Sequence, residues 1–276
     1  MGLKKIFITD LDGTLLKSDR TISDTDIKTF EFLGKQNIIR VIATGRSIFS
    51  AKKVLSDDFP IDYLVFSCGA GILRWSDKQI LINHNLTESD VNSIYSQLIK
   101  LDVDFCIQHE IPNNHFFDYY MHNTENNDLT RRLGIYNSYY NIINPQSYKP
   151  QKASQFIIIF KNGSENDLIK FKKIFNEYSV IRATSPLDNK SLWLEIFPNE
   201  VSKSKTCKIL VEELNISPDN IGALGNDYND LDLLEWSEKS YLVENSPDEI
   251  KSNHIIVKSN NNNGFTDAVN KWLKTF

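Results

Sequence analysis

Asp10-Leu11-Asp12-Gly13-Thr14-Leu15 follows directly on a short apolar run at residues 4–9, and the reading of this junction decides the fold. The run reads as a buried strand. Two aspartates at i and i+2, on a turn leaving a strand, put two carboxylates near one point. Gly13 lets the backbone turn sharply there. Alone, the same residues read equally well as a surface Asp-Gly turn.

The surroundings carry the argument further. Ser23 opens a helix, with Asp26 three residues on as in a capping box and Ile27, Phe30 and Leu33 on one face. Residues 38–43 form a second apolar run, ended by Thr44-Gly45-Arg46, and a helix is expected over 47–55. A third strand at 63–66 ends in Ser67-Cys68-Gly69. The pattern resumes near residue 200. A helix is expected over 203–214, a strand over 220–224, a helix over 231–236, strands over 240–243 and 254–257, and a last helix after Gly264. The strand at 220–224 runs into Gly225-Asn226-Asp227-Tyr228-Asn229-Asp230. Apolar strands with helical crossovers argue for a parallel sheet covered on both faces. Each polar cluster then sits at the carboxyl end of a strand, where open α/β sheets bind ligands.

The middle of the chain reads differently. A hairpin is expected around Ser76-Asp77, a helix after Thr87 with Asp90 at its third position, irregular structure over 109–150, a strand over 155–160, a helix after Ser164, and strands near Val180 and over 192–197. The fold class is therefore α/β: a Rossmann-like core with a mainly parallel sheet, interrupted by an α+β domain. We place the core at 1–82 plus 190–276 and the insertion at 83–189.

Composition agrees with this picture and narrows the partners. The 276 residues are 41% hydrophobic and 24% charged, as in ordinary globular chains, which excludes a disordered tail or a coiled-coil rod. The net charge of −5 disfavours nonspecific nucleic-acid binding, which needs clustered basic surface. No apolar run approaches the ~20 residues of a membrane span, so no membrane partner is expected. Aspartates interrupt the signal-like start before an apolar segment forms, and Ile6 replaces the Ser or Thr of a myristoylation site. Cys68, Cys106 and Cys207 are few, scattered and odd in number, which fits a reducing cytoplasm better than a disulfide framework or a zinc cluster. The asparagine run at 260–263 reads as genome composition.

Carboxylates gathered without histidine or cysteine suit a hard cation such as Mg²⁺. A threonine hydroxyl, backbone amides and a lysine suit a phosphate. A carboxylate nucleophile with a second carboxylate as acid and base suits two-step phosphoryl transfer. Lys203 is the lysine candidate, since it lies where the insertion rejoins the core; Lys205 competes on spacing alone.

The order of Asp-Leu-Asp-Gly-Thr, Thr-Gly-Arg, Val-Ser-Lys and Gly-x-x-x-Asn-Asp resembles the haloacid dehalogenase superfamily of phosphatases, and within it the Cof-like branch with an inserted α/β cap (type IIB). Residues 67–72, 244–251 and 260–265 resemble further segments of that branch. The resemblance covers most of the core and only loosely the insertion. It implies Asp10 as the nucleophile forming an aspartyl-phosphate and Asp12 as the acid that protonates the leaving oxygen and then activates water. It implies Thr44, Gly45, Arg46, Lys203 and Asn229 around the phosphoryl group. It implies Mg²⁺ held by Asp10, the Asp12 carbonyl, Asn226 and Asp230, with Asp227 as an alternate and with Asp230 supporting either the metal or Lys203, and it implies a cap that closes over the site and selects the substrate. This chain departs from the pattern at Asn226, where the family has Asp; at Cys68, where it has Asn; and at Glu200 and Ser204, where it has glycines.

The expected activity is Mg²⁺-dependent hydrolysis of small phosphorylated metabolites, sugar phosphates above all, by a monomer or homodimer. Two competitors stand beside it. One is a phosphometabolite-binding module weakened in catalysis by Asn226; the other is a mutase that passes the phosphoryl group to a sugar hydroxyl. Elsewhere, Cys68 reads as a buried neutral thiol. His109, His115 and His122 lack metal-ligand spacing. Six of eleven tyrosines fall between Tyr119 and Tyr148, where they serve as cap core, a dimer surface or a stacking platform. Asp227 reads first as a helix-start residue.

Overall fold

A computed structural model describes residues 4–122, 125–161, 163–185 and 191–276. The chain forms two compact units, Met1–Ile82 with Ser202–Phe276, and Asn83–Val201.

The first unit begins with β1 (Lys5–Thr9), α1 (Asp24–Lys35), β2 (Ile38–Ala43), the short α2 (Ile48–Ala51), β3 (Tyr63–Phe66), β4 (Gly71–Arg74) and β5 (Gln79–Asn83). Ser23 caps α1, its hydroxyl accepting from Asp26 N–H. The insertion follows as α3 (Glu88–Lys100), β6 (Phe105–His109), β7 (Phe117–Tyr120), α4 (Asn127–Ile135), β8 (Tyr140–Ile142), β9 (Ala153–Ile159), α5 (Glu165–Ile174), β10 (Ser179–Thr184) and β11 (Leu192–Phe197). The first unit resumes with α6 (Lys203–Glu213), β12 (Ile221–Gly225), α7 (Leu231–Trp236), β13 (Lys239–Val243), β14 (Ile255–Val257) and α8 (Gly264–Leu273).

Among the described residues the first unit holds an eight-stranded sheet in the order β14-β13-β12-β1-β2-β3-β4-β5. Its pairings from β14 through β3 are parallel, and β4 turns back antiparallel on β3. One face packs Ile6, Ile8, Val41, Ala43 and Val65 against Cys207, Leu210 and Val211 of α6 and Leu233 and Leu234 of α7. Phe7 points the other way and meets Phe265 and Trp272 of α8, with ring centroids 5.6 and 5.2 Å away, while Phe265 stacks on Phe30 of α1 at 4.2 Å. Burying rings of this size contributes about 2 kcal/mol or more each, which fixes both helices on the sheet. The α/β class with a Rossmann-like core is the one read from the sequence.

Among the described residues the second unit holds a six-stranded sheet in the order β10-β11-β9-β6-β7-β8. Its pairings are antiparallel except for β7 with β8. Thr87 begins α3 with a full capping box to Asp90. The sheet's Phe105, Phe156, Ile158 and Leu194 pack on Val91, Ile94 and Leu98 of α3 and Phe171 of α5.

Three expectations change. The boundary between 189 and 190 lies outside the described residues, and the insertion runs on to Val201 because β11 pairs antiparallel with β9 and β10. The helix expected over 47–55 is a single turn, Ile48–Ala51. The stretch 109–150, expected to be irregular, contains β7, α4 and β8, and β6 just before it carries no alternation because four of its five residues are buried.

Candidate active site

β1 lies between β2 and β12, and its register sets Thr9 opposite Ile42 on one side and Leu224 on the other. The residues that follow these strands therefore leave the sheet at one edge. Asp10 N–H continues the ladder to the Leu224 carbonyl (2.9 Å), and Thr44 N–H continues it to the Val65 carbonyl (2.8 Å). Lys203, the first residue of α6, reaches the same place.

Lys203 Nζ donates to Asp10 Oδ1 at 2.7 Å and to Asp230 Oδ1 at 2.5 Å. All three side chains are buried: Lys203 is 1% exposed, Asp10 4% and Asp230 0%. Burial works against the ammonium, yet Asp10 and Asp230 outweigh it and hold Lys203 well above its ordinary value. One cation serves two carboxylates, so negative charge is left over. Burial raises the Asp10 carboxyl from 3.8 to about 7, and Asp230 adds to the rise against the pull of Lys203. Lys203 rather than Lys205 is thus the lysine of the site.

Asp12 is held differently. Arg46 clamps it with a two-pronged pair, Nε to Oδ2 and Nη2 to Oδ1, both 2.7 Å, while Nη1 donates to the Ser50 carbonyl at 3.0 Å. Such fork-to-fork pairs fix the orientation of the carboxyl group. Arg46, expected beside the phosphoryl group, is instead placed on Asp12. Thr44 is fully buried, and its hydroxyl accepts from Arg46 N–H at 3.1 Å. Asn229 Nδ2 lies 3.9 Å from where a Cβ on Gly45 would stand, so Asn229 and the Thr44-Gly45 turn are neighbours.

Asp230, expected to support the metal or Lys203, is placed on Lys203. Its Oδ1 is taken by Lys203, and its Oδ2 accepts from the N–H groups of Asn226 (2.8 Å) and Asp227 (3.1 Å). Both oxygens brace the loop and the lysine. Asp227 caps the turn Tyr228–Asp230, its Oδ1 accepting from Tyr228 N–H at 2.8 Å, which is the helix-start role. Gly225 permits this closeness, since a Cβ there would stand 2.6 Å from Asp230 Cβ.

The Asn226 amide points inward. One terminal atom lies 3.2 Å from Asp10 Oδ2, 3.0 Å from the Asp12 carbonyl oxygen and 3.0 Å from Thr14 Oγ1. Turned with its nitrogen there, the amide donates to all three. Turned with its oxygen there, it joins two other oxygens at the spacing of neighbouring ligands on an octahedral Mg²⁺, about 3.0 Å for bonds of about 2.1 Å. The residues present therefore fit a hard divalent cation. Gly13, at φ +73°, leaves room for the amide: a Cβ there would come within 2.6 Å of Asn226 Nδ2. Among the described residues no group of three His, Cys, Asp or Glu side chains is placed to hold a metal; the set here offers one carboxylate beside an amide and a main-chain carbonyl.

A family model of haloacid dehalogenase-like hydrolases matches residues 7–269. The chain belongs to the haloacid dehalogenase-like hydrolases. A Streptococcus pyogenes serotype M6 protein named "Putative phosphatase" is 26% identical over 284 residues, covering 98% of each chain. The phosphatase BT1666 from Bacteroides thetaiotaomicron superposes with a TM-score of 0.79 at 18% identity, covering 98% of this chain and 95% of that one. The subclass IIB sugar phosphatase BT4131 gives 0.77 at 14% identity, covering 98% and 99%. The superpositions show the shared fold, and the family match with the curated relative supports a phosphatase.

Within this haloacid dehalogenase-like hydrolase the remaining candidates fall into place. Cys68 is buried, with its Sγ 3.3 Å from a Cβ built on Gly45. His109 pairs with Asp118 (3.4 Å) and His122 with Asp102 (3.6 Å), and among the described residues no histidine belongs to a group of three side chains placed to hold a metal. Tyr120 and Tyr148 pack on one apolar cluster of the insertion, and Tyr119, Tyr136 and Tyr140 on another, which is the cap-core role. Asp232 was not anticipated. Its Oδ2 accepts from Ser204 N–H (3.0 Å) and Ser204 Oγ (2.6 Å), tying α7 to the first turn of α6 beside Lys203. No local signal marks it, because the contact joins two helices. No helix among the described residues is long and apolar enough to cross a membrane.

Proposed function

We propose that this chain hydrolyses phosphate monoesters of small metabolites, sugar phosphates foremost, through an aspartyl-phosphate on Asp10 with Mg²⁺ as cofactor. The observation that carries the reading is the buried Lys203 ammonium between Asp10 and Asp230. It sets fixed positive charge beside a carboxylate at the mouth of the sheet, where charge on a transferring phosphoryl group needs neutralising.

Asp10 attacks phosphorus, the bond to the ester oxygen breaks, and the leaving oxygen takes a proton from Asp12. Asp12, again a carboxylate, removes a proton from water. The water oxygen attacks phosphorus, the bond to Asp10 breaks, and inorganic phosphate leaves. Arg46 orients Asp12 for both proton transfers, and the Thr44 hydroxyl, Gly45 and Asn229 meet the phosphoryl oxygens. Asp10, the Asp12 carbonyl and Asn226 would hold Mg²⁺, which when bound supplies further positive charge toward the phosphoryl oxygens. The inserted unit is assigned substrate selection.

The test is release of phosphate from p-nitrophenyl phosphate and a panel of sugar phosphates, with and without Mg²⁺, by the wild type and Asp10→Asn. Loss of at least about a thousandfold in the variant is expected. Turnover retained in Asp10→Asn refutes the nucleophile. Phosphate-ester binding without metal-dependent turnover in the wild type favours a binding module, and conservation of total phosphate ester favours a mutase.

A further inference from the structure

Asn260, the first residue of the asparagine run, is not a surface residue: it is 5% exposed, and its Nδ2 donates to the Leu16 carbonyl at 2.9 Å. Asn260 N–H donates to Asn245 Oδ1 at 2.9 Å, and Asn245 Nδ2 donates to the Gly13 carbonyl at 2.8 Å. Asn261 adds two bonds to Ser18, accepting from its N–H and donating to its Oγ, both at 3.0 Å. Within the turn they hold, Leu15 and Leu16 N–H both donate to the Leu11 carbonyl, and Asp12 and Leu16 form an isolated parallel bridge. Its Gly13 and Leu16 carbonyls accept from Asn245 Nδ2 and Asn260 Nδ2.

The far end of this connection is rigid. Asn262 and Gly264 N–H both donate to the Ser259 carbonyl, Asn263 takes a left-handed conformation, and α8 follows at once with Phe265 wedged between Phe7 and Phe30. Asn245 lies two residues beyond β13. Two fixed points on the sheet and α8 thus bracket the one turn that carries both the Asp12 carboxylate and the Asp12 carbonyl.

We propose that Asn245 and Asn260 are positioning residues, a strap that fixes the Asp12–Leu16 turn and so holds the Asp12 oxygens where cation binding and proton transfer need them. The strap rests on the reading of that turn given above, but its mechanical half stands without it. Partners that orient metal ligands typically change metal affinity by about 10–100-fold when removed.

The experiment compares wild type, Asn260→Ala, Asn245→Asp and Asn262→Ala. Asn245→Asp sits at an exposed position, keeps the acceptor for Asn260 N–H and loses the donor to Gly13, so it remains informative if Asn260→Ala fails to fold. Asn262→Ala is the control, because Asn262 Nδ2 bonds only within its own turn, to Ser259 Oγ at 3.0 Å. Hydrogen exchange over residues 10–18 is expected to quicken about fivefold in the first two variants and not in the control. The Mg²⁺ dissociation constant from calorimetry is expected to rise about tenfold in the same two. Unchanged exchange, or equal acceleration in Asn262→Ala, overturns the strap. Faster exchange with unchanged Mg²⁺ affinity overturns its role in positioning. A wild type that binds no Mg²⁺ refutes the cation reading alone, and the exchange result still decides the strap.

Discussion

Asp10→Asn has a consequence for stability that runs opposite to its consequence for activity. Asp10 is 4% exposed, and its carboxyl is raised from 3.8 to about 7, by burial first and then by Asp230. At about 1.4 kcal/mol per tenfold change, that rise is about 4 kcal/mol between charged and neutral forms. The folded state binds this proton more tightly than the unfolded state. Its contribution to stability is therefore complete below about pH 3.8, falls as the pH rises, and is gone once the pH has passed through about 7. Asparagine keeps the shape without the charge. In metal-free buffer, Asp10→Asn should match the wild type near pH 4 and exceed it progressively up to about pH 7.5. The Lys203–Asp10 bond is altered by the substitution, so the ceiling of about 4 kcal/mol will not be reached, and a gain of about 2 kcal/mol is expected. Urea unfolding with EDTA, at three pH values from 4.5 to 7.5, measures it. Mg²⁺ should reverse the order at pH 7.5 by stabilising the wild type through binding. A difference that does not vary with pH, or a variant less stable than wild type at pH 7.5 without metal, would show that Asp10 is not a destabilising buried charge.

Two further outcomes follow from the same geometry. Asn226→Asp adds a carboxylate to the oxygen set and should tighten Mg²⁺ about tenfold by calorimetry, an increase that an amide outside the ligand set would not produce. Arg46→Ala releases Asp12 and should lower kcat by about 10–100-fold with a smaller change in KM. The loss should be greater for an alkyl phosphate than for p-nitrophenyl phosphate, whose leaving group needs no proton. Equal losses on both would remove Arg46 from the positioning of the acid.

Arg132 illustrates why part of the insertion escapes a reading by pattern. It is buried, with its guanidinium 4.9 Å from the centroids of the Phe117 and Tyr136 rings and 5.3 Å from Trp193. A charged residue on the inward face of α4 erases the apolar stripe that marks a helix. In β6, burial on both faces erases the alternation that marks a strand.

By itself the sequence determined the parallel core, because apolar runs of strand length, capped helices and turn residues are local properties that repeat in order. It also marked where the polar clusters gather, since Asp10, Thr44, Lys203 and the Gly225 loop each stand at an element's end. Only the tertiary structure decided what each charge does there. Arg46 lies 34 positions from Asp12, Lys203 lies 193 from Asp10, and Asn260 lies 244 from Leu16. These pairings depend on strand order and register, which no neighbouring residue encodes. The same is true of the insertion's end: the residues of β11 would suit either sheet, and their antiparallel pairing with β9 and β10 settled which one they join.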